Sequence, residues 1–187
     1  MLAGRMMNFP LTLTHFLRRA ADFFPRSEVV SRRPDRSLTR HTYEQIYRRC
    51  AQLSHALARL GVGAGDRVAT LSWNHHQHLE AYLAVPAMGA VVHTLNLRLH
   101  PSEIGYIANH AEDQVVIVDR SLLPLFEKFA GQVRSIRHVI VVPDCPDTGA
   151  APANNYLDYE ALLGAEEGEY PYPDLDENSA ADRKSVV

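Results

Sequence analysis

The chain has 187 residues, of which 46% are hydrophobic and 22% are charged, and its formal net charge at pH 7 is −3. This composition is typical of one globular domain and excludes a fibrous or largely disordered protein. The segment from Asp158 to Glu177 carries eight acidic residues and no basic one, so the remainder is net basic. Because that basic charge is spread along predicted helices rather than clustered, it argues against a nucleic-acid-binding protein.

The N-terminal residues and the cysteines indicate a protein of the cytoplasm. The apolar run near the start is interrupted by Asn8, Pro10 and His15, which makes it too short and discontinuous for a signal peptide or a membrane span. Cys50 and Cys145 do not have the spacing of a redox or metal motif. We therefore expect reduced thiols, a cytoplasmic location and no stable membrane insertion.

Residues 11–24 form the first predicted element, an amphipathic helix that ends at Pro25. Its apolar side chains recur at helical spacing, which favours packing on the main body of the domain. A membrane-surface role is the alternative, because Arg18 and Arg19 accompany three aromatic residues. The shortness of the apolar stripe makes that alternative the weaker one.

A hairpin and a long helix are predicted next. Residues 28–31 and 37–41 are interpreted as two strands joined by a turn. Thr42 and Gln45 have the capping-box spacing that begins a helix. The apolar side of this helix comprises Ile46, Cys50, Leu53, Leu57 and Leu60. The residues predicted to lie on its outward side are Arg48, Arg49, Gln52 and Arg59.

The glycine-rich segment from Gly61 to Gly65 resembles a phosphate-binding loop only superficially. It precedes a strand, whereas a phosphate cradle follows a strand and begins a helix, so that free backbone N–H groups point at the phosphate. We therefore interpret Gly61 as a left-handed helix C-cap and the remaining residues as a turn.

Strands and helices then alternate through the middle of the chain. Strands are predicted at 68–71, 90–94, 115–118 and 138–142. Helices are predicted to begin at Asn74 and Pro101 and after a cap at Ser121, and Pro86 is expected to bend or end the first of them. This alternation predicts an α/β fold with a partial, doubly wound, mostly parallel sheet and flanking helices.

Polar residues follow the predicted strands and are the candidates for ligand binding. Open parallel sheets bind ligands beyond the carboxyl ends of their strands, which here places Trp73, Asn96 or Asp119 near a pocket. Trp73, Asn74 and His76 are at most adjacent to such a pocket, and a structural role is favoured for all three.

Two further sets of polar residues have alternative interpretations. His75 and His78 fall on one side of a helix and suggest a metal site, but Glu80 is the only acidic or cysteine partner nearby, so polar positions in a first helical turn explain them better. Asn96 and Arg98 either fix the backbone of their loop or reach a ligand.

The last part of the chain is predicted to be mostly irregular. Residues 143–155 form a loop, and a short helix runs from Tyr156 or Leu157 to Leu163. The acidic segment that follows contains Pro171 and Pro173 and is expected to be extended on the surface.

Three stretches of the sequence resemble one enzyme family. They are TYEQIYRRCAQLSHALARLGVGAGDRVATLSWN, GAVVHTLNLRLHPSEIGYIANHAEDQVVIVD and PDLDENSAA. They are similar to the N-terminal part of the adenylate-forming acyl-CoA synthetases, above all the medium- and long-chain fatty-acyl-CoA ligases and the methylmercaptopropionate-CoA ligases. The resemblance covers residues 11–181 and implies that residues 1–181 are an incomplete N-terminal AMP-binding domain.

The resemblance implies a two-step reaction that uses ATP, Mg²⁺ and coenzyme A. A carboxylate attacks the α-phosphate of Mg·ATP to give an acyl-adenylate and pyrophosphate, and the thiol of coenzyme A then displaces AMP. The family's phosphate loop, adenine and metal site, ribose-binding Asp and C-terminal Lys match no position here. We therefore assign no catalytic, cofactor-binding or metal-binding residue, and we expect no tight cofactor binding to this chain.

The sequence leaves the family pattern at Asp182, where the phosphate loop would be expected a few residues later. Residues 182–187 read DRKSVV, which one frame of a common sequencing adapter also encodes before a stop. We expect a non-native tail on a truncated gene product; a genuine stop codon or a frameshift is the alternative.

Three hypotheses follow for this chain. It is part of a fatty-acyl-CoA ligase and is inactive alone, it is a stand-alone module that binds a nucleotide or an acyl group, or it is an inert fragment with exposed sheet edges. The substrate of the intact enzyme would be a fatty acid, and the family resemblance adds a homodimer as a candidate assembly.

Overall fold

The computed structural model describes residues 9–144 and 155–184. The helices are α1 (Leu13–Phe23), α2 (Tyr43–Arg59), α3 (His76–Ala87), α4 (Pro101–Ala111), α5 (Leu123–Ala130) and α6 (Tyr159–Gly164). The strands are β1 (Glu28–Arg32), β2 (Leu38–Thr42), β3 (Arg67–Leu71), β4 (Val91–Thr94), β5 (Val115–Asp119), β6 (His138–Val142), β7 (Leu157–Asp158) and β8 (Asp182–Lys184). A 3₁₀ turn, Arg120–Leu122, connects β5 to α5.

Six strands form one sheet in the order β7-β6-β5-β3-β4-β8, and all neighbouring pairs are parallel. Strand β5 is buried along its whole length, because helices cover both faces of the sheet. Helices α2, α3 and α6 pack on one face, and α4 and α5 pack on the other. The predicted doubly wound parallel sheet is confirmed. The hairpin predicted before it is also confirmed, as the antiparallel pair of β1 and β2.

Local signals in the sequence explain how α2 begins and ends. Oγ1 of Thr42 accepts the backbone N–H of Gln45 at 3.2 Å, and the side chain of Gln45 accepts the N–H of Thr42 at 2.8 Å. This confirms the capping box, which satisfies donors that a helix start leaves free. At the other end, Gly61 has φ +86°, the left-handed conformation predicted for the cap.

Several predicted boundaries were wrong by one to three residues. Helix α3 begins at His76 with His75, not Asn74, as its N-cap, because Nδ1 of His75 accepts the N–H of His78 at 3.3 Å. Helix α1 is shorter at both ends than the predicted 11–24. Ser121 caps no helix, since it lies within the 3₁₀ turn. Helix α6 begins only at Tyr159, because β7 first pairs with β6.

The prediction that the acidic segment lies extended on the surface was wrong for its tyrosines. Tyr172 is 8% exposed and packs into the core beside α2, and its ring lies 5.1 Å from that of Tyr170. Charged residues of the segment still contact solvent-facing positions of α2, as in the 2.7 Å ion pair between Arg59 and Glu166. The segment therefore covers the outer surface of α2 and buries its aromatic side chains there.

The remaining predictions about the end of the chain concern residues 143–155 and 182–187. Asp182–Lys184 pairs with β4 as a parallel edge strand, and the non-native origin of 182–187 stays a prediction. Cys145 and most of the predicted loop lie outside the described residues, whereas Cys50 is a buried free thiol. Across the described parts of the chain, no helix combines the length and apolar character needed to cross a membrane.

Candidate functional site

The sheet reverses its direction of winding between β3 and β5. From β3 the chain proceeds through α3 on one face to β4, whereas from β5 it proceeds through α5 on the opposite face to β6. The two connections leave the sheet in opposite directions, which opens a crevice at the carboxyl ends of these neighbouring strands. The candidate site lies in this crevice.

Asp119 organises the crevice from the end of β5. Its carboxylate is fully buried and accepts a hydrogen bond of 2.5 Å from the Ser72 hydroxyl and one of 2.7 Å from the backbone N–H of Trp73. Nε2 of His75 lies 3.0 Å from both carboxylate oxygens. Asp119 therefore fixes the loop that leads from β3 into α3.

A cleft of about 460 Å³ lies above this cluster. It is bounded by the turn between β1 and β2, the start of α3, and the residues that follow β5 and β6. Trp73 forms part of the wall with its indole half exposed, and Nε1 donates to the Ser121 hydroxyl at 3.2 Å. Asp144 accepts the N–H of Ser121 at 3.3 Å. The cleft is thus large enough for a small molecule and combines one aromatic face with several charged groups.

His75 and His78, for which a metal site was one interpretation, both contact polar side chains of the protein. His75 is held by Asp119, and Nε2 of His78 lies 3.0 Å from the Thr70 hydroxyl, so each has a partner within the protein. Among the described residues, no three His, Cys, Asp or Glu side chains are placed to hold a metal ion together. His75 therefore caps the start of α3, and His78 joins α3 to β3 through Thr70.

His76 lines the cleft, and only 4% of its surface is exposed. Its ring stacks on that of His41 from β2, with 4.2 Å between centroids. Burial, with smaller repulsive effects of His41 and Arg49, lowers the pKa of His76 to about 3, so the imidazole is neutral at physiological pH. Nδ1 of His76 has no hydrogen-bond partner in the described residues.

Arg49 is not on the outward side of α2, where the sequence analysis placed it. Its guanidinium donates to Glu80 from Nε at 2.6 Å and to Glu160 from both terminal nitrogens at 2.9 Å. Tyr159 donates to the second oxygen of Glu80 at 2.7 Å, and Gln77 of the cleft wall donates to Glu160 at 3.1 Å. This network joins α2, α3 and α6 beneath the cleft.

The charges of this network shift one another's ionisation. Burial raises the pKa of Glu80, although the hydrogen bonds from Arg49 and Tyr159 oppose that rise. Burial also acts to raise the pKa of Glu160, but the hydrogen bonds and charge of Arg49 outweigh it, so the net pKa is lowered. Sequence reasoning missed this network. The available signal was the position of Arg49 beside Cys50, at the border of the apolar stripe of α2.

Two other polar positions lie outside the cleft. Oδ1 of Asn96 accepts the N–H of Arg98 at 3.0 Å, so Asn96 fixes the backbone of its own loop, as one of the two alternatives proposed. Nδ1 of His93 lies 2.9 Å from both carboxylate oxygens of Asp113, and both side chains are fully buried. The sequence analysis did not single out this second pair, which joins β4 to the start of β5.

The sequence identifies the family of the protein. The family described as AMP-binding enzyme matches residues 17–181. The chain therefore belongs to the AMP-binding enzymes, the family of the acyl-CoA ligases.

Individual relatives agree with this assignment. The chain is 50% identical to a long-chain-fatty-acid–CoA ligase of Thermus thermophilus over 161 residues, which are 86% of this chain and 29% of the relative. It is 34% identical to a medium-chain-fatty-acid–CoA ligase of Ectopseudomonas oleovorans over 96% of this chain and 33% of the relative. The chain thus spans about a third of the length of the curated relatives it matches.

Solved structures share the fold. The crystal structure of an anthranilate CoA ligase in complex with anthranoyl-AMP superposes with a TM-score of 0.82 at 21% identity, covering 94% of this chain and 32% of that one. A fatty acyl CoA synthetase of Mycobacterium tuberculosis superposes with a TM-score of 0.78 at 20% identity, with coverage of 94% and 32%.

Proposed function

We propose that the chain is the N-terminal part of an ATP-dependent fatty-acyl-CoA ligase, which joins a fatty acid to coenzyme A through an acyl-adenylate. The observation that carries this proposal is the 50% identity to the Thermus thermophilus long-chain enzyme over most of the chain. The requirement for ATP, Mg²⁺ and coenzyme A belongs to the same proposal. A cytoplasmic location is proposed with it, on the strength of the sequence prediction of reduced thiols.

The glycine-rich segment from Gly61 to Gly65 does not fit a nucleotide phosphate. The N–H groups of Gly61, Gly63 and Gly65, in the one glycine-rich segment of the sequence, already donate within the chain, to Ala58, Asp66 and Gly89 respectively. A phosphate cradle needs such donors free and placed at the start of a helix. We therefore assign no step of the reaction to a residue of this chain and propose that the 187 residues alone are inactive.

A chimera tests the proposal directly. The segment of the Thermus thermophilus ligase that follows the matched region would be joined after Ala181, and formation of acyl-CoA from octanoate and palmitate would be measured. We expect activity from the chimera and none from the 187-residue chain or from the Thermus segment alone. Activity of the 187-residue chain alone, or a folded chimera that neither binds ATP nor forms acyl-CoA, would contradict the proposal.

The second candidate function is a binding module without catalysis. It is favoured by the cleft at the winding reversal, where open parallel sheets hold ligands. Calorimetric titration of the 187-residue chain with ATP and with octanoate tests this second candidate, which requires a heat of binding with at least one of the two ligands. Light scattering on the same sample tests the proposed homodimer.

A further inference from the structure

The cleft beside Trp73 has an excess of groups that favour a negative charge. Arg32 at the end of β1 and Arg33 in the turn that follows line it, whereas Asp144 is the one carboxylate among the described residues of its lining. Arg33 is half buried, and its charge acts on the exposed carboxylate of Asp35 in the same turn. Asp35 does not line the cleft, so the two arginines leave this wall with a positive charge that favours an anionic ligand.

The start of α3 adds donors to the same cleft. His76 and Gln77 are the first two residues of a 12-residue helix, and both line the cleft. Their backbone N–H groups have no partner within the helix, and the helix dipole places partial positive charge there. A helix start of this kind favours oxygen atoms of a carboxylate or a phosphate.

The buried imidazole of His76 is the independent indication that a ligand belongs here. Its Nδ1 is buried without a hydrogen-bond partner in the described residues, although the residue borders a cleft of about 460 Å³. Buried polar atoms in folded proteins are nearly always paired. Nδ1 itself is closed to solvent, so an oxygen of a bound anion would accept from Nδ1–H once the ring turns toward the cleft.

We propose that the cleft between the turn of β1 and β2 and the start of α3 is an oxyanion-binding site, in which Arg33, His76 and the first N–H groups of α3 hold a carboxylate or a phosphate and Trp73 contacts the body of the ligand. The site does not depend on the proposed ligase activity.

The tryptophan makes the site directly measurable. Trp73 is the single tryptophan of the chain, so its fluorescence reports on the cleft wall alone. The 187-residue chain would be titrated separately with inorganic phosphate and with octanoate at constant ionic strength, with octanol and sodium chloride as neutral and ionic controls. We expect a saturable change in fluorescence with at least one anion and none with the controls. Saturation by phosphate assigns a phosphate ligand, and saturation by octanoate alone assigns a carboxylate with an apolar tail.

A matched pair of variants separates specific binding from a general charge effect. Arg33→Gln removes the proposed anion contact, and Arg36→Gln removes the same charge from the same turn at a residue outside the cleft. The dissociation constant is expected to rise about tenfold in Arg33→Gln and to stay within twofold in Arg36→Gln. Absence of a saturable response, or equal weakening in the two variants, would overturn the proposal.

Discussion

Nε of Arg49 donates a hydrogen bond of 2.6 Å to Oε1 of Glu80, whose side chain is completely inaccessible to solvent. The Glu80 carboxylate is therefore a buried charge, and the opposite charge that compensates it comes from Arg49 on the neighbouring helix α2. Pairing of this kind contributes little net stability, but removal of one partner leaves an uncompensated charge in the core.

Arg49→Met is expected to lower the free energy of unfolding by about 3–5 kcal/mol, because it leaves Glu80 buried and unpaired. Urea denaturation followed by circular dichroism measures this change. Arg48→Met is the matched control on the exposed neighbouring position, with an expected change within about 0.5 kcal/mol. Equal losses in the two variants would contradict the assigned role of Arg49.

The loss in Arg49→Met is also expected to depend on pH. Without Arg49, the pKa of Glu80 rises further in the folded protein, so the folded state binds a proton that the unfolded state releases. A group with a raised folded pKa contributes stability at low pH that is lost as the pH rises. The deficit relative to the parent protein should therefore be smaller near about pH 5 than near about pH 8.

Tyr159→Phe removes the hydroxyl that donates to Glu80 at 2.7 Å and leaves one carboxylate oxygen with fewer partners. We expect a loss of about 1–3 kcal/mol in the free energy of unfolding, since the hydroxyl is fully buried and its partner is charged. The same substitution at Tyr106, which is 69% exposed, should change the stability by less than about 0.5 kcal/mol. A larger loss at Tyr106 than at Tyr159 would disprove the prediction.

Asp119→Ala leaves the Ser72 hydroxyl and the Trp73 N–H without their acceptor and frees His75. We expect a loss of about 3 kcal/mol and greater quenching of tryptophan fluorescence by acrylamide, because the loop that carries Trp73 loses its anchor. Asp174→Ala, at an exposed position, should change neither quantity. Unchanged quenching in Asp119→Ala would show that the loop is held by other contacts.

The neutral imidazole of His76 predicts a second dependence of stability on pH. Its pKa is lowered to about 3 in the folded state, below the ordinary value of 6.5, so the unfolded state binds more protons between these two values. Stability should therefore fall as the pH decreases from about 6.5, by at most about 1.4 kcal/mol per pH unit from this group. His76→Gln should flatten the profile relative to the parent in that range, which urea denaturation at a series of pH values measures, and an unchanged profile would contradict the prediction.

The elements that were predictable from the sequence are those with local causes. The Thr42 and Gln45 side chains lie three residues apart and cap α2 whatever the rest of the chain does. The run from Val115 to Val118 is β-branched throughout, which is a property of a central strand buried on both faces. The general position of the cleft was also predictable from the sequence, because the carboxyl ends of parallel strands lie at one edge of the sheet.

The contacts that could not be predicted depend on which helices become neighbours. Arg49 is 31 residues from Glu80 and 111 from Glu160, so no local pattern relates the three. The burial of Tyr172 likewise depends on the surface that α2 leaves uncovered, which a sequence rich in proline and acidic residues does not reveal. Charged residues in the core, such as Glu80, were missed for the same reason. The spacing of apolar residues along a helix does not show which polar residues of other elements it will contact.

The anchor of the cleft has a consequence for the order of events during synthesis. Ser72 and Trp73 emerge from the ribosome 47 and 46 residues ahead of Asp119, the residue that holds them. Until β5 has been made and inserted beside β3, the nascent chain has a first βαβ unit with this loop untethered. The cleft can therefore form only after residues that are distant in the sequence have come together. If synthesis pauses before Asp119, the loop that carries the indole of Trp73 has no fixed position.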